Sequence, residues 1–162
     1  MRHGLGSEHP LCDRIQLIIL VLFFVLWGLD FLNFSIFGYS TVIFQALNFP
    51  FLFTITLLLW ALSLYLISKS HKAALEQVKD PPKLVDSGVY SWIRHPMYLG
   101  TLLFCLSFLF ISFSLMSFGL WIIFFIFYDR MATYEERNLI EMLGDGYITY
   151  QKRVSKWFPM VW

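Results

Sequence analysis

Two short polar stretches hold the side chains of this chain that could do chemistry. The first is Lys83 to Tyr98, KLVDSGVYSWIRHPMY, which crowds Tyr90, Arg94, His95 and Tyr98 together. The second is the acidic pair Glu135-Glu136, with Arg130 shortly before it. Between them, Met97 to Tyr128 contains no charged residue. Arginine suits a carboxylate or a phosphate, and a carboxylate accepts from an ammonium group or from sugar hydroxyls. Aromatic rings can lie against a cation. A Gly-rich phosphate loop, zinc-type spacing and a Ser-His-Asp set are all absent from the sequence. Glu135-Glu136-Arg137 by itself is what any solvated helix shows after an apolar run. Its value depends on being brought next to Arg94 and His95.

The elements between the two stretches must do that positioning. A residue before proline is pushed out of the α region, so His95 is expected extended or in a turn. Pro96 suits the first turn of a helix, which places Arg94 and His95 just outside its positive N-terminal end. As one helix, Met97 to Tyr128 would be about 48 Å long, too much for a hydrocarbon core of about 30 Å. The Ser-rich middle, Ile111 to Leu115, is the place to turn back. The result is a tight hairpin whose second helix runs on through Glu135-Glu136. Each half is short for a full crossing, so the bilayer must thin locally or the helices must extend past the apolar run. A hairpin brings its ends together, so both polar groups are expected at one pocket edge.

The rest of the chain reads as membrane protein. Its 162 residues are 58% hydrophobic, 20% aromatic and 14% charged, with 18 Phe and 6 Trp, well off the soluble average. A net charge of +1 gives no footprint for nucleic acid. Cys12 and Cys105 lie before and inside apolar runs, so neither a structural disulfide nor a metal framework is expected. Leu11 to Phe34 is long enough to span and is read as a retained helix, not a cleaved signal. Asp30 within it reads as an interfacial residue at a helix end, with a buried polar partner for another helix as the alternative. Phe49 to Ile67 is a second span, and the polar Ser68 to Asp80, with a solvated His71, extends it until Pro81-Pro82. With four spans, all 12 Lys and Arg residues fall on one side, which makes that side cytoplasmic. Ala132 to Leu143 is expected as a cytosolic amphipathic helix, broken at Gly144-Asp145-Gly146, with a short helix over Tyr147 to Val154. Trp157, Phe158 and Trp162 suit the headgroup region.

Three motifs in order carry a resemblance: Leu84-Val-Asp-Ser-Gly-Val-Tyr90, then Arg94-His-Pro-Met-Tyr98, then Glu135-Glu136 followed by Leu139, Gly144 and Tyr147 to Tyr150. This set resembles the isoprenylcysteine carboxyl methyltransferases, and the related phospholipid N-methyltransferases share its general pattern. The resemblance covers about the C-terminal half. It implies an integral, multi-pass membrane enzyme that binds S-adenosyl-L-methionine without a Rossmann fold, with its active site facing the cytoplasm. The fold class expected is therefore an all-α membrane protein with four transmembrane helices, in two hairpins, and a cytosolic C-terminal helical segment. Residues 1–162 form one domain, with membrane helices at 11–34, 49–68, 96–111 and 115–134. Its cofactor-binding cytosolic face is 83–98 with 130–158. By the resemblance, Lys83, Leu84 and Val85 line the adenosine through their backbone. Tyr90, His95, Pro96, Met97 and Tyr98 hold the nucleoside and methionine parts, and Glu135 accepts from the cofactor's polar groups. Arg130 and Glu136 are the catalytic assignments, with Arg130 holding the substrate; no metal is implied. The methyl acceptor is a lipophilic molecule entering from the bilayer, among membrane lipids and with no nucleic acid: a prenylcysteine carboxylate, or alternatively a phospholipid amine. A non-catalytic membrane scaffold, in which the same charges merely pair across the hairpin, is the rival of another class.

Overall fold

The computed structural model describes residues 12–32, 49–77, 83–112 and 114–158, and every regular element among them is helical. Helix α1 is Cys12–Leu32, α2 is Phe49–Gln77, α3 is Pro96–Ile111, α4 is Leu115–Leu143 and α5 is Asp145–Arg153. A short 3-10 turn, Gly88–Ser91, precedes α3, and one isolated parallel bridge joins Ile93 to Ser155. The connection Gly38–Asn48, Pro81-Pro82 and Trp162 lie outside the described residues. Among the described residues, three segments are long and apolar enough to cross a membrane: Arg14–Leu32, Pro50–His71 and Leu115–Leu143. Helix α3 is apolar but shorter, with 16 residues giving about 24 Å against about 30 Å of hydrocarbon.

That short helix is the hub. None of its residues is exposed, and its backbone carbonyls accept bonds from every long helix. Trp27 Nε1 of α1 donates to Phe108 O at 3.1 Å, and Thr56 Oγ1 and Ser63 Oγ of α2 donate to Ser107 O and Gly100 O at 3.3 and 2.7 Å. Trp121 Nε1 of α4 donates to Leu102 O at 2.8 Å. Apolar helices in lipid gain little from hydrophobic burial against one another, so close packing and such bonds hold them. Gly100 is the point of closest approach to α2. A Cβ there would lie 2.8 Å from Ile67 Cγ1 and 3.2 Å from Ser63 O.

The turn between α3 and α4 falls where the Ser-rich middle puts it. Ser112 and Ser114 are buried, and the Ser114 side chain caps α4 by accepting from Ser117 N at 3.1 Å. Helix α4 then runs unbroken through Glu135-Glu136, so residues 132–143 are its far end and not a separate helix. It stops at Gly144, whose φ of 58° and ψ of −138° suit only glycine well. Asp30 departs from the interfacial expectation. It is buried, with 1% exposure, because α1 turns that face inward, as Phe23 does.

Candidate active site

His95 occupies the corner that the sequence assigns to it. As the residue before Pro96 it takes φ −122° and ψ 61°, ends the approach segment and caps α3. Its ring is buried, and α4 supplies both carboxylates that meet it. Nε2 lies 3.0 Å from Glu136 Oε1 and Nδ1 lies 3.5 Å from Glu135 Oε2. Arg94 Nε stands 3.0 Å from the same Glu136 oxygen, while Gln151 Nε2 donates to Glu136 Oε2 at 3.1 Å. Arg94 also donates through Nη1 to the Gln151 carbonyl at 2.9 Å. Four charged side chains from two ends of one hairpin thus close into a compact group, with α5 behind it. Burial by itself lowers the pKa of the His95 imidazole. The hydrogen bonds and charges of Glu135 and Glu136 outweigh it, and the group is held above its usual 6.5.

A second set of bonds fixes the wall of this group. Tyr150 Oη donates to Tyr90 O at 2.6 Å, and Tyr90 Oη donates to Ser70 O at 3.4 Å, linking α5, the 3-10 turn and α2. Burial pushes the Tyr147 and Tyr150 hydroxyls well above their ordinary pKa, so both stay neutral. From His95 a column of rings descends into the helices. His95 lies parallel to Tyr98 at 5.6 Å, Tyr98 stacks on Tyr128 at 4.7 Å, and Tyr128 on Phe124 at 4.6 Å. The column joins the polar mouth directly to the apolar core.

The tail after α5 folds back across that mouth. Arg94 N donates to Ser155 O at 3.0 Å. Lys156 Nζ reaches Asp129 Oδ1 at 2.7 Å, Asp129 O at 3.0 Å and Thr133 Oγ1 at 2.8 Å. Trp157 Nε1 donates to Asp129 Oδ1 at 3.0 Å, and its ring lies 6.1 Å from His95 and 5.4 Å from Phe125. Trp157 is thus half-buried against the site and not a freely projecting headgroup residue, because Asp129 satisfies its N–H. Phe158 is exposed, in keeping with an interfacial place.

The structure brings Tyr90, His95, Pro96, Met97, Tyr98, Glu135 and Glu136 into one region. Lys83 is exposed, while Leu84 and Val85 are half-buried against the tyrosines of α5 and against Val89 respectively. Beside Leu84, an open cleft of about 360 Å3 is bounded by Asp86, Asp145, Thr149, Tyr150 and Arg153. Arg130 is exposed, and the guanidinium that meets Glu136 is that of Arg94. Sequence reasoning missed Gln151, Asp129 and Lys156 as partners. Asp129 carried a usable signal, as the first charge after the long apolar run.

The phospholipid methyltransferase family model matches residues 69–146. The chain is similar to protein-S-isoprenylcysteine O-methyltransferase of Schizosaccharomyces pombe, 34% identical over 99 residues, covering 58% of this chain and 40% of that protein. The Xenopus laevis and Homo sapiens proteins of the same name are 32% and 33% identical over 90 residues, each covering 51% of this chain and 29% of theirs. The match therefore spans well under half the length of these curated relatives.

Proposed function

We propose, on the premise that residues 69–146 form a domain of the phospholipid methyltransferase kind, that this chain is a membrane methyltransferase using S-adenosyl-L-methionine. Its acceptor is lipophilic, of the prenylcysteine carboxylate class. The observation that carries the reading is His95 held between Glu135 and Glu136 at the mouth of α3. The donor set fits a zwitterionic amino acid joined to a nucleoside. Glu135, whose side chain at 20% exposure is more open than Glu136 at 11%, offers a carboxylate to an ammonium. The N-terminal end of α3 suits the opposite charge. Tyr98 and Tyr90, both buried, wall that corner, and the cleft bounded by Leu84 leaves room next to that residue.

Bound there, the cofactor would supply an already activated methyl group on a sulfonium. The chain has only to align the acceptor and exclude water. Glu136 acts on the site by holding Arg94 and His95 in place. Arg94, committed to Glu136 and the Gln151 carbonyl, serves the scaffold. Arg130, exposed on α4, keeps its guanidinium for the acid group of the acceptor and orients it through one contact, since a closed bidentate clamp would blunt the nucleophilic oxygen.

Further parts of the reading are four spans, with α3 as the short one, both described ends of the helical bundle near Lys83 and Lys156 facing the cytoplasm, and lateral access for the acceptor. They rest on the one-sided distribution of Lys and Arg. Phospholipid N-methylation is the second reading, favoured by the family description itself. The test is methyl transfer from labelled cofactor into a prenylcysteine analogue and into phosphatidylethanolamine, side by side. A carboxylate acceptor should give a kcat nearly flat between about pH 6.5 and 8.5, whereas an amine must lose a proton and its kcat should rise with pH. No transfer to either, with no binding of S-adenosylhomocysteine, would sink the enzyme reading in favour of a scaffold.

A further inference from the structure

Phe125, Asp129, Thr133 and Glu136 follow one another along one face of α4 at the spacing of successive turns. The end of α5 and the tail behind it run down this face. Gln151 Nε2 comes first and donates to Glu136 Oε2 at 3.1 Å. Lys156 Nζ follows, donating to Thr133 Oγ1 at 2.8 Å, Asp129 O at 3.0 Å and Asp129 Oδ1 at 2.7 Å. Trp157 Nε1 comes last, donating to the same Oδ1 at 3.0 Å, with its ring 5.4 Å from Phe125. The other edge of the segment is bonded to the approach to α3. Ser155 O accepts from Arg94 N at 3.0 Å, beside the bridge between Ser155 and Ile93. Residues 151–157 thus join the two halves of the polar group: Glu136 on α4, and Arg94 with His95 before α3.

Three oxygens hold the Lys156 ammonium, its side chain is 19% exposed, and its charge acts on the Glu136 carboxylate. A flexible four-carbon stem does not settle in one place by itself. The charge-assisted bond to Asp129 fixes it, and with it which tail residue faces which turn of α4. A slip of one residue would take Ser155 O from Arg94 N, and the Trp157 ring from its place 6.1 Å from His95. We propose that Lys156, seated on Asp129 and Thr133, is a positioning residue for the site at the tip of α3: it sets the register of residues 151–157 along α4, and thereby the spacing of Arg94, His95 and Glu136. What the positioned group binds rests on the methyltransferase reading, whereas the positioning rests on bonds within the chain. Lys156 acts through these residues and not on the methyl acceptor. Asp129 shares the role, as the acceptor that both tail donors use.

The test uses the full chain in phosphatidylcholine nanodiscs, in a background carrying His3→Gln, His9→Gln and His71→Gln, so that His95 alone of the 4 histidines remains. Two quantities are measured: the titration midpoint of the His95 ring by nuclear magnetic resonance, and S-adenosylhomocysteine binding by calorimetry. Glu135 and Glu136 of α4, Arg94, Tyr98 of α3 and Tyr147 of α5 surround the group, and the two glutamates hold the ring's midpoint above 6.5. Lys156→Met should loosen that enclosure and bring the midpoint back toward 6.5, whereas loss of a nearby positive charge with nothing displaced would raise it. Affinity for S-adenosylhomocysteine should fall about tenfold as the group is misplaced. Lys156→Arg, which keeps the charge and the donors, should leave both quantities near wild type. Lys152→Met, which removes an exposed charge from the same segment, should move neither. A tail that only adds stability would lower the unfolding midpoint of Lys156→Met without moving the His95 titration of the folded chain. An unmoved or raised His95 midpoint overturns the proposal, as does an equal shift in Lys152→Met. If Lys156→Met does not fold, Lys156→Gln decides by the same sign. A wild-type chain that binds no S-adenosylhomocysteine would count against methyl transfer, and the His95 midpoint would still decide the positioning.

Discussion

Two adjacent glutamates do different work around one histidine. Glu136 is tied to His95, Arg94 and Gln151, so Glu136→Gln removes the charge that the buried His95 and the half-buried Arg94 depend on. It should cost about 2–3 kcal/mol of stability, read as a lower midpoint in detergent unfolding. Glu135→Gln should also lower that midpoint, because Glu135 helps hold the charge on His95, and should in addition weaken S-adenosylhomocysteine binding by about 1.5–3 kcal/mol; unchanged affinity would remove Glu135 from the site. The pH dependence follows from His95. Its folded pKa is raised above 6.5, so its protonated form stabilises the fold fully below the unfolded value. That contribution is lost as pH rises through the folded value. Thermal midpoints should therefore fall as pH climbs above about 6.5, and less so in Glu136→Gln; a flat profile in the wild type would contradict the assignment. The pairing of motif with motif was legible in the sequence because Pro96 and a hairpin leave few alternatives. Which arginine meets the carboxylate was not. That depends on the rotational phase of α4, which periodicity in an almost wholly apolar helix does not report.

The helices themselves were readable almost to their ends, because apolar runs, Pro96, Ser114 and Gly144 punctuate them. What stayed hidden was the order of intimacy among them. Gly100 looks like one more small residue in an apolar stretch, yet it sets the distance between α2 and α3. Gly100→Ala would push a methyl against Ile67 and the Ser63 carbonyl. It should destabilise by about 1–3 kcal/mol, whereas Gly119→Ala, with open space around it, should be neutral or slightly stabilising. Equal effects would mean that α2 and α3 do not approach so closely in the membrane. Gly144→Ala should also be costly, by about 1–3 kcal/mol, for its backbone conformation and not its surroundings. The tail was misjudged from sequence for a related reason. A tryptophan near a lysine at a chain end has the composition of an interfacial anchor, and only the fold reveals that Asp129 waits beneath it.

For the molecule as a whole, the proposed orientation places Ser87 and Thr149, both exposed, on the same face of the membrane, and Met116, at the opposite end of α4, on the other. Single cysteines at these positions, in a background lacking Cys12 and Cys105, should label in sealed vesicles as two against one; labelling of Ser87→Cys and Thr149→Cys from opposite faces would overturn the four-span arrangement. Helix α3, with none of its residues exposed and its carbonyls bonded by α1, α2 and α4, adds a mechanical consequence. The longer helices carry the exposed large apolar side chains, so in the proposed membrane arrangement a thicker or thinner bilayer acts on them first, by changing their tilt. Because α3 is bonded to each of them, such a tilt should be passed to the residue at its tip, His95. The thickness of the host membrane is then expected to reach the polar mouth as a displacement, with no ligand needed to carry the message.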